Sequence, residues 1–366
     1  MSDELSARAA LSRLAEPCDR SVATLLAELG APEAVERLLR AEGALRRFAA
    51  RAATLDVRQD LANAARAGAR VVIPDDPEWP EALDDLEFPP WCLWVRGERL
   101  LPAVLGRSVS IVGARVATSY GEHLTGELAA ALASRGWAVV SGAAFGIDAA
   151  AHRGVLAVDG CTVAVLAGGV ERAYPAAHGP LLDRIARDGI VVSEVPPGSA
   201  PMKSRFLSRN RLIAAMGAGT VVVEAGLRSG SLNTARHASD LSKPVGAVPG
   251  PVTSMSSAGC HQAIRDGLAV LVTTAEEIIE LVGDLGGDAC PSPRGPEVPA
   301  DALDPIQRRV WEALPLRKAV ELDRVAAVTT LAPFTVRASL ARLAALGLAT
   351  SEQGRWRKTP GPSPTG

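Results

Sequence analysis

The segment from Lys203 to Arg211 is the part of the sequence best suited to binding a charged polymer. It reads KSRFLSRNR, and between Gly198 and Gly217 the chain has four basic residues and no acidic one. The formal net charge of the whole chain is −2, so this basic cluster is a local feature. Lys and Arg neutralise phosphates, and the ring of Phe206 offers a face on which a base can stack. The combination predicts a site for single-stranded nucleic acid; the alternative is an ordinary helix start with Phe206 in the core.

Two turns elsewhere in the chain have the composition of anion-binding sites. Residues 113–121 read GARVATSYG, and they follow a predicted strand without forming the G-x-G-x-x-G pattern of dinucleotide-binding folds. Small residues and hydroxyls before a helix can still hold a phosphate, with Arg115 beside it, although a tight turn with a solvent-exposed Arg explains them equally well. In the second turn Arg228 precedes Ser229-Gly230-Ser231, where backbone amides at a helix start predict an anion pocket.

The sequence offers little support for catalysis or for a bound cofactor. Asp148 and His152 lie four residues apart, but no nucleophile is placed beside them, and Asp148 is equally suited to capping a helix. The cysteines are scattered and form no C-x-x-C pair, which argues against a disulfide framework or a zinc site. We therefore expect no enzymatic activity, no cofactor and no metal. The five cysteines are Cys18, Cys92, Cys161, Cys260 and Cys290.

The sequence also bears on where the protein is located. No apolar run approaches the 18 residues or so that a membrane-spanning helix needs. The first residues, MSDEL, are acidic and lack the apolar core of a signal peptide. Together with the unpaired cysteines, these features predict a cytoplasmic protein without a membrane span.

The elements that must position these residues form an alternating pattern of strands and helices from Ser108 to about Gly283. The strand candidates are short and almost wholly apolar, as expected when both faces of a sheet are covered. The pattern predicts an α/β fold with a doubly wound sheet, whose ligands bind at the carboxyl ends of the strands. The strand candidates are residues 109–112, 138–141, 161–166, 190–192, 220–223, 245–248 and 269–272.

The flanking segments predict three further regions. Residues 1–70 have apolar positions at helical spacing and form a helical N-terminal domain, and the core with its Pro- and Trp-rich leading segment takes residues 71–283. Residues 284–303 are rich in Gly, Pro and Asp and predict a flexible linker. Residues 304–360 predict three short helices and a hairpin turning at Gln353-Gly354, which is the pattern of a winged helix. From Asp304 to Lys358 this segment has ten basic and five acidic residues.

Several of these motifs, in this order, resemble the DNA-processing protein A (DprA/Smf) family of bacteria. The resemblance covers most of residues 108–267, and the motifs are highly specific as a set. The residues that carry it are Val112-Gly113-Ala114-Arg115, Ser141-Gly142 through Gly146-Ile147-Asp148, Ala151-His152, Arg209-Asn210-Arg211, Ser229-Gly230-Ser231-Leu232 with Thr234-Ala235, and Val248-Pro249-Gly250.

The resemblance implies a function and a set of site residues. It implies a Rossmann-like core that binds single-stranded DNA, a homodimer formed through that core, and loading of the RecA recombinase during natural transformation or recombination. It further implies an N-terminal helical domain of the SAM or helix-hairpin-helix kind and a C-terminal winged helix. Leu207 stands where the family commonly has a proline. The DNA-binding residues that carry over are Arg115, Lys203, Phe206, Arg209, Asn210 and Arg228.

Two other functions compete with this prediction. Rossmann-like proteins of the lysine-decarboxylase-like (LOG) group hydrolyse nucleoside monophosphates, but they have a Pro-Gly-Gly-x-Gly-Thr loop where this chain has Met216-Gly217-Ala218-Gly219-Thr220. The basic tract also suits a polymer better than a mononucleotide. A transcriptional regulator built on the winged helix would not need a basic pocket in the core, so it ranks last.

Overall fold

The structure is a computed structural model that describes residues 3–284, 300 and 302–359. The chain divides into two compact units, Met1–Cys290 and Pro291–Gly366. Of the predicted linker over 284–303, residues 285–299 and 301 lie outside the described residues. Within the described residues, no helix has both the length and the apolar composition that crossing a membrane requires.

A nine-stranded sheet forms the centre of the first unit. Its strands run in the spatial order β1-β2-β6-β5-β4-β3-β7-β8-β9, with β3 to β9 parallel and with antiparallel pairs at β1–β2 and β2–β6. Every predicted core strand is present within one or two residues of its expected ends. The strands are β1 Ala69–Val72, β2 Leu93–Arg96, β3 Ser108–Val112, β4 Ala138–Ser141, β5 Thr162–Leu166, β6 Ile190–Ser193, β7 Thr220–Val222, β8 Val245–Ala247 and β9 Val270–Leu271.

The described part of the first unit contains thirteen α-helices in addition to this sheet. Short 3₁₀ segments lie at Gly43–Phe48, Glu81–Leu83 and Ala176–His178. The helices are α1 Asp3–Leu14, α2 Arg20–Leu29, α3 Ala31–Arg40, α4 Ala49–Ala52, α5 Val57–Arg66, α6 Leu101–Leu105, α7 Ser119–Ser134, α8 Ile147–Ala157, α9 Gly179–Asp188, α10 Lys203–Met216, α11 Ser231–Asp240, α12 Ala258–Arg265 and α13 Ala275–Val282.

Apolar residues cover both faces of the sheet, which explains why its strands are almost continuously hydrophobic. On one face Val112, Val140 and Val222 pack against residues of α10 and α11. On the other face Val109 and Ile111 pack against α7, α8 and α13. These observations confirm the predicted α/β class, with a large and mostly parallel sheet.

The direction of chain progression reverses at β3. The chain adds β4, β5 and β6 on one side of β3, and then returns to place β7, β8 and β9 on the other side. Ser110 of β3 pairs with Thr220 of β7, and Val109 pairs with Val139 of β4. A crevice therefore opens beyond the carboxyl ends of β3 and β7, where open α/β sheets bind their ligands.

The N-terminal helices share apolar cores with the sheet. Leu11 and Leu14 of α1 pack with Leu38 of α3 and with Trp91 from the segment before β2. Ala9 on the same helix belongs to a second cluster that includes Trp94 of β2. The N-terminal helices are therefore packed against the sheet as part of one compact unit.

The second unit contains three helices and a small antiparallel sheet. Its apolar core includes Val310, Val336 and Leu340. The hairpin turns at Gln353 and Gly354, whose φ angles of 51° and 78° suit a two-residue hairpin turn, as the sequence predicted. Strand β10 is only two residues long and has no pattern to reveal it. The elements are α14 Pro305–Ala313, β10 Val320–Glu321, α15 Leu322–Thr329, α16 Pro333–Ala345, β11 Ala349–Glu352 and β12 Arg355–Lys358, and the strand order is β10-β12-β11.

Candidate nucleic-acid interface

A cleft of about 510 Å³ lies at the crevice beside the carboxyl ends of β3 and β7. Its lining includes residues 112–116 at the end of β3 and beyond it, Asp148 near the start of α8, one side of α10, the Ser229–Ser231 turn before α11, and Met255 with Ser256. Four of the six site residues expected from the sequence lie in this lining, namely Arg115, Phe206, Arg209 and Asn210. The other two, Lys203 and Arg228, are not among the described residues that line the cleft. Both are exposed on the surface outside it.

Phe206 forms part of the cleft wall and is only partly buried. The guanidinium carbon of Arg115 lies 4.6 Å from its ring centroid, and that of Arg209 lies 5.9 Å away. The ring of Tyr174 is a further neighbour, with the two ring centroids 5.5 Å apart. Phe206 is therefore neither a core residue nor a free one: cations and an aromatic ring fix its place, and part of its surface still faces solvent.

Arg209 is buried and hydrogen-bonded to the main chain. Its Nη1 donates to the carbonyl oxygen of Gly142 at 2.9 Å and to that of Val165, so it joins α10 to the ends of β4 and β5. Burial lowers the pKa of Arg209 to about 10, although the nearby carboxylate of Asp148 opposes this shift. The geometry gives Arg209 a positioning role behind Phe206; its contact with a phosphate remains a prediction.

Asn210 has a similar role one residue further along α10. Its side-chain amide donates to Oδ1 of Asn233 at 3.2 Å and to the carbonyl oxygen of Gly230 at 3.4 Å. These bonds hold the start of α11 against α10. The Ser229 and Ser231 hydroxyls lie 2.7 Å apart at the same helix start, and its amides border the cleft.

The other two arginines of the basic tract are paired with acidic side chains. Arg205 forms a two-bond ion pair with Glu16 at 2.8 and 2.9 Å. Arg211 is buried and pairs with the buried Glu194 at 2.5 Å, and its Nε lies 3.0 Å from Sγ of Cys18. Three of the four basic side chains that drew attention in the sequence are thus occupied within the protein. No local pattern could reveal this, because Glu16 is 189 residues from Arg205 and Cys18 is 193 residues from Arg211 in the chain.

The environment of Glu16 shows that its ion pairs are favourable. Burial alone would raise the pKa of the Glu16 carboxyl, but hydrogen bonds from Arg205 and Arg51 outweigh that effect and lower it. The ion pair between Glu16 and Arg205 thereby connects the N-terminal region to α10, the helix that carries Phe206.

Asp148 and His152 do not form a catalytic pair. Asp148 is buried at the cleft, where burial raises the pKa of its carboxyl, while the charge of Arg209 and two backbone amides oppose the increase. His152 is fully buried, and its Nδ1 lies 2.8 Å from Oγ1 of Thr162. The Thr162 hydroxyl donates to the carbonyl oxygen of Val139, so its oxygen accepts a hydrogen bond from the Nδ1–H of His152. His152 therefore pins α8 to the sheet.

Glu224 follows β7 at the end of the segment that is compared with the LOG group, and it is also occupied within the protein. It is buried and accepts hydrogen bonds from the backbone amide of Thr118 at 2.9 Å and from its hydroxyl at 2.6 Å. The Thr118 hydroxyl in turn accepts from the amide of Gly121 and so caps α7. Glu224 therefore stabilises the start of α7. It is not among the described residues that line the cleft.

Exposed apolar side chains border the cleft. Val116 is 88% exposed, Met255 is 73% exposed and Leu207 is 48% exposed, and all three line the opening. Across the described residues, no group of three His, Cys, Asp or Glu side chains is arranged to hold a metal ion. A cleft with an exposed Arg, a partly exposed aromatic ring, helix-start amides and an apolar border suits a polyanion that also carries flat apolar groups.

Comparisons with known proteins identify a family whose model covers the part of the chain that contains the cleft. The family model for DNA recombination-mediator protein A matches residues 70–283. A protein of Mycobacterium tuberculosis named as a DNA processing protein DprA is 47% identical over 368 residues, covering 95% of this chain and 92% of its own length. Protein Smf of a Synechocystis strain is 32% identical and covers 77% of this chain and 78% of its own length.

Two solved structures are similar in fold. The crystal structure of DNA processing protein A from Streptococcus pneumoniae has a TM-score of 0.65 and 27% sequence identity, covering 78% of this chain and 99% of that one. DNA processing protein A from Helicobacter pylori, whose single-stranded DNA binding mode was studied structurally, has a TM-score of 0.53 and 29% identity. It covers 58% of this chain and 96% of its own.

Proposed function

This chain belongs to the DNA recombination-mediator protein A (DprA/Smf) family, and from that premise we propose that it binds single-stranded DNA in the cleft beside β3 and β7. The observation that carries the proposal is the placement of the Phe206 ring, in the wall of the cleft and 4.6 Å from the guanidinium of Arg115. A base can stack on the ring while the adjacent cation neutralises a phosphate. The similar protein from Helicobacter pylori binds single-stranded DNA, which supports the same ligand class.

The side chains of the site divide into two roles. Arg115 is exposed and lines the cleft, so it contacts a phosphate, and Phe206 stacks on a base. Lys203 and Arg228 are exposed outside the cleft and meet phosphates of the strand as it enters or leaves. Arg209 and Asn210 position the cleft walls through their bonds to main-chain and side-chain groups.

Tyr174 extends the stacking surface. Its side chain is 50% exposed and its ring lies next to that of Phe206. A small hollow on this side of Phe206 is lined by Tyr174 and Arg172. A second base stacks on the exposed ring of Tyr174, outside this hollow, while the first occupies the cleft, so Phe206 lies between two neighbouring nucleotides.

The wider role follows from the family. The protein protects single strands and loads a RecA recombinase on them in the cytoplasm, it acts as a homodimer formed through its core, and it has no catalytic turnover. Its core is a Rossmann-like doubly wound domain, its N-terminal helices are of the SAM or helix-hairpin-helix kind, and its C-terminal unit is a winged helix. The family resemblance supports each of these statements.

The hydrolase alternative is less well supported because Glu224 is buried and bonded to Thr118. Incubation with nucleoside monophosphates should release no free base. Hydrolysis that disappears in a Glu224→Ala variant would favour the hydrolase instead.

The direct experiment is fluorescence anisotropy of a labelled oligothymidine with the full chain over a range of salt concentrations. Arg115→Ala should weaken binding and lower the salt slope by about 0.7, the value for one phosphate contact on a single strand. The matched control is Arg153→Ala, because Arg153 is also exposed but lines a separate groove between α7 and α8. Equal effects of the two variants, or no effect of Arg115→Ala, would contradict the proposal.

A further inference from the structure

Phe145 is an aromatic residue beside the cleft that the site described above does not use. It lies between β4 and α8 and is 49% exposed. The preceding residue, Ala144, lines the cleft, whereas Phe145 is not among the described residues of that lining. Aromatic side chains contribute to cores and interfaces through the large apolar area that they bury. The surroundings of Phe145 decide what its exposed half could bury.

The backbone around Phe145 is packed against the segment that carries Arg115. The amide of Ile147 donates to the carbonyl oxygen of Ala114 at 3.2 Å. Gly146 has a φ of 72°, and a Cβ at this position would collide with the same carbonyl oxygen. Only glycine suits both the positive φ and this close approach. Phe145 is therefore carried by a closely packed turn next to Arg115.

A buried histidine fixes the orientation of the Phe145 ring. The rings of Phe145 and His178 meet edge to face, with their centroids 4.7 Å apart and their planes at 68°. His178 is 3% exposed, and its Nδ1 donates to the carbonyl oxygen of Ala143 at 2.9 Å. The imidazole thus holds the Phe145 ring in place on one side, while part of that ring remains in solvent.

Exposed arginines lie on the loops at either side of Phe145. In the sheet β4 lies between β3 and β5, so the loop of Phe145 lies between those that carry Arg115 and Arg172. Both arginines are exposed, and in the described part of the chain neither forms an ion pair with an acidic side chain. Glu171 precedes Arg172, but its carboxylate accepts a hydrogen bond from the amide of Gly198 at 2.8 Å.

A cation, an aromatic ring and a second cation therefore follow one another along the carboxyl edge of the sheet. Neighbouring strands are about 4.8 Å apart, so the three loops span about 10 Å. Proteins that bind single strands combine cations that follow the phosphates with rings on which successive bases stack. A mononucleotide could use only part of this row, whereas a polymer can use all of it.

We propose that Phe145 and Arg172 form a further nucleotide subsite, in which a base stacks on the Phe145 ring and a phosphate meets Arg172. The proposal rests on the proposed function, because it extends the DNA held in the cleft across the ends of β4 and β5. Tyr174, which lines one hollow with Arg172 and Phe206, lies on this path. The DNA thus crosses the sheet from the Ser229–Ser231 turn after β7 toward the loop after β5.

The first test is anisotropy of a labelled oligothymidine with the full chain. Phe145→Ala should weaken binding about fivefold or more, the lower end of the contribution of one stacked base, and should leave the salt slope unchanged. Phe145→Tyr restores the ring and should restore the affinity. Phe145→Leu keeps an apolar side chain against His178 without an aromatic face, so it should bind weakly while its melting temperature stays near that of wild type.

The second test concerns the phosphate contact. Arg172→Ala should lower the salt slope by about 0.7, the value for one contact on a single strand. The matched control is Arg187→Ala, because Arg187 is also exposed but lies just before β6, at the opposite edge of the sheet. The control should leave both the affinity and the salt slope as in wild type. Equal slopes for the two variants would overturn the phosphate contact.

A double variant shows whether Phe145 and Phe206 hold different bases. If they do, the fold-losses of Phe145→Ala and Phe206→Ala should multiply when the two changes are combined. A double variant that binds as well as Phe206→Ala alone would overturn the subsite, because both rings would then act on one base. Normal binding by both Phe145→Ala and Phe145→Leu would also overturn it.

Arg115→Ala separates failure of this subsite from failure of the proposed function. If Arg115→Ala weakens binding while the Phe145 and Arg172 variants bind normally, the cleft stands and the subsite alone is wrong. If wild type binds no oligothymidine, both are wrong.

Discussion

Phe206 packs against neighbouring side chains and at the same time forms part of the cleft surface. Its ring is in contact range of two guanidinium groups and of Tyr174, yet the residue keeps an exposed edge in the cleft wall. The sequence left open whether Phe206 stacks on a base or packs in the core. The structure places it between these two extremes, which makes the consequences of removing it measurable.

We expect Phe206→Ala to reduce affinity for oligothymidine by about 1–3 kcal/mol, the contribution of one stacked base. The salt slope should stay the same because the ring carries no charge. The melting temperature should fall only slightly, since a fully buried Phe would cost about 3–5 kcal/mol of folding stability. Phe206→Tyr is the control, because it keeps the ring and should bind normally. A variant that melts far below wild type would show that Phe206 is a core residue.

Arg209 differs from Arg115 although both are near Phe206. Removing its side chain leaves the carbonyls of Gly142 and Val165 without their donor and removes the cation nearest to the buried Asp148. We expect Arg209→Ala to lower the free energy of unfolding by about 3 kcal/mol or more, as when one partner of a buried ion pair is lost. Chemical denaturation measures this loss, with Arg115→Ala as the exposed control of unchanged stability. A stable Arg209→Ala protein with a salt slope lowered by about 0.7 would instead support a phosphate contact.

At the scale of elements, helix α8 is fixed to the sheet by a histidine that is neutral in the folded protein at all but strongly acidic pH. Burial lowers the pKa of His152 from 6.5 to about 3. The unfolded chain takes up this proton near pH 6.5, but the folded chain does not, so acid favours unfolding. The stability that neutral His152 contributes is complete above pH 6.5 and is lost as the pH falls from 6.5 toward 3.

We therefore expect His152→Gln to lose less stability than wild type between pH 7.5 and pH 4.5. Each pH unit below 6.5 should cost wild type about 1.4 kcal/mol through this group. Urea midpoints at the two pH values measure the difference. His123→Gln is the matched control, since the His123 side chain is 76% exposed and its substitution should leave the pH dependence of wild type intact. Parallel pH profiles for wild type and His152→Gln would contradict this account.

The elements themselves were largely predictable, and their ion pairs were not. Short, largely apolar runs such as residues 109–112 identified the strands, and the turn at Gln353-Gly354 identified the hairpin. The two-residue strand β10 has no periodicity to detect. The basic tract was found from composition, but composition cannot show that Arg205 and Arg211 face Glu16 and Glu194. Those pairs depend on tertiary packing of segments remote in sequence, so only the structure separates the available cations from the paired ones.

At the scale of the whole molecule, charge is distributed unevenly between the two compact units. The cleft in the first unit contains one exposed arginine and an aromatic wall, whereas the second unit carries an excess of five positive charges between Asp304 and Lys358. The first arrangement suits stacking and the second suits electrostatic binding. The two units are thus expected to contribute differently to the binding of a single strand.

A chain ending at Gly283 should bind oligothymidine within about tenfold of the full chain, which corresponds to about 1.4 kcal/mol. The physical reason is that Arg115, Phe206 and the start of α11 all lie in the first unit. Fluorescence anisotropy with both proteins at one salt concentration provides the comparison, and circular dichroism verifies that the shortened chain is folded. Loss of oligothymidine binding in a folded shortened chain would assign the single-strand site to the second unit.

The central claim, that a single strand lies across Phe206 in the cleft, is tested most directly by photocrosslinking. An oligothymidine carrying 5-iododeoxyuridine is irradiated with the full chain, and the crosslinked peptides are identified by mass spectrometry. We expect crosslinks at the partly buried Phe206 or the exposed Tyr174, whose ring centroids are 5.5 Å apart, and their loss in Phe206→Ala/Tyr174→Ala. Crosslinks confined to residues 304–358, with none in residues 112–116, 174 or 203–211, would contradict the claim.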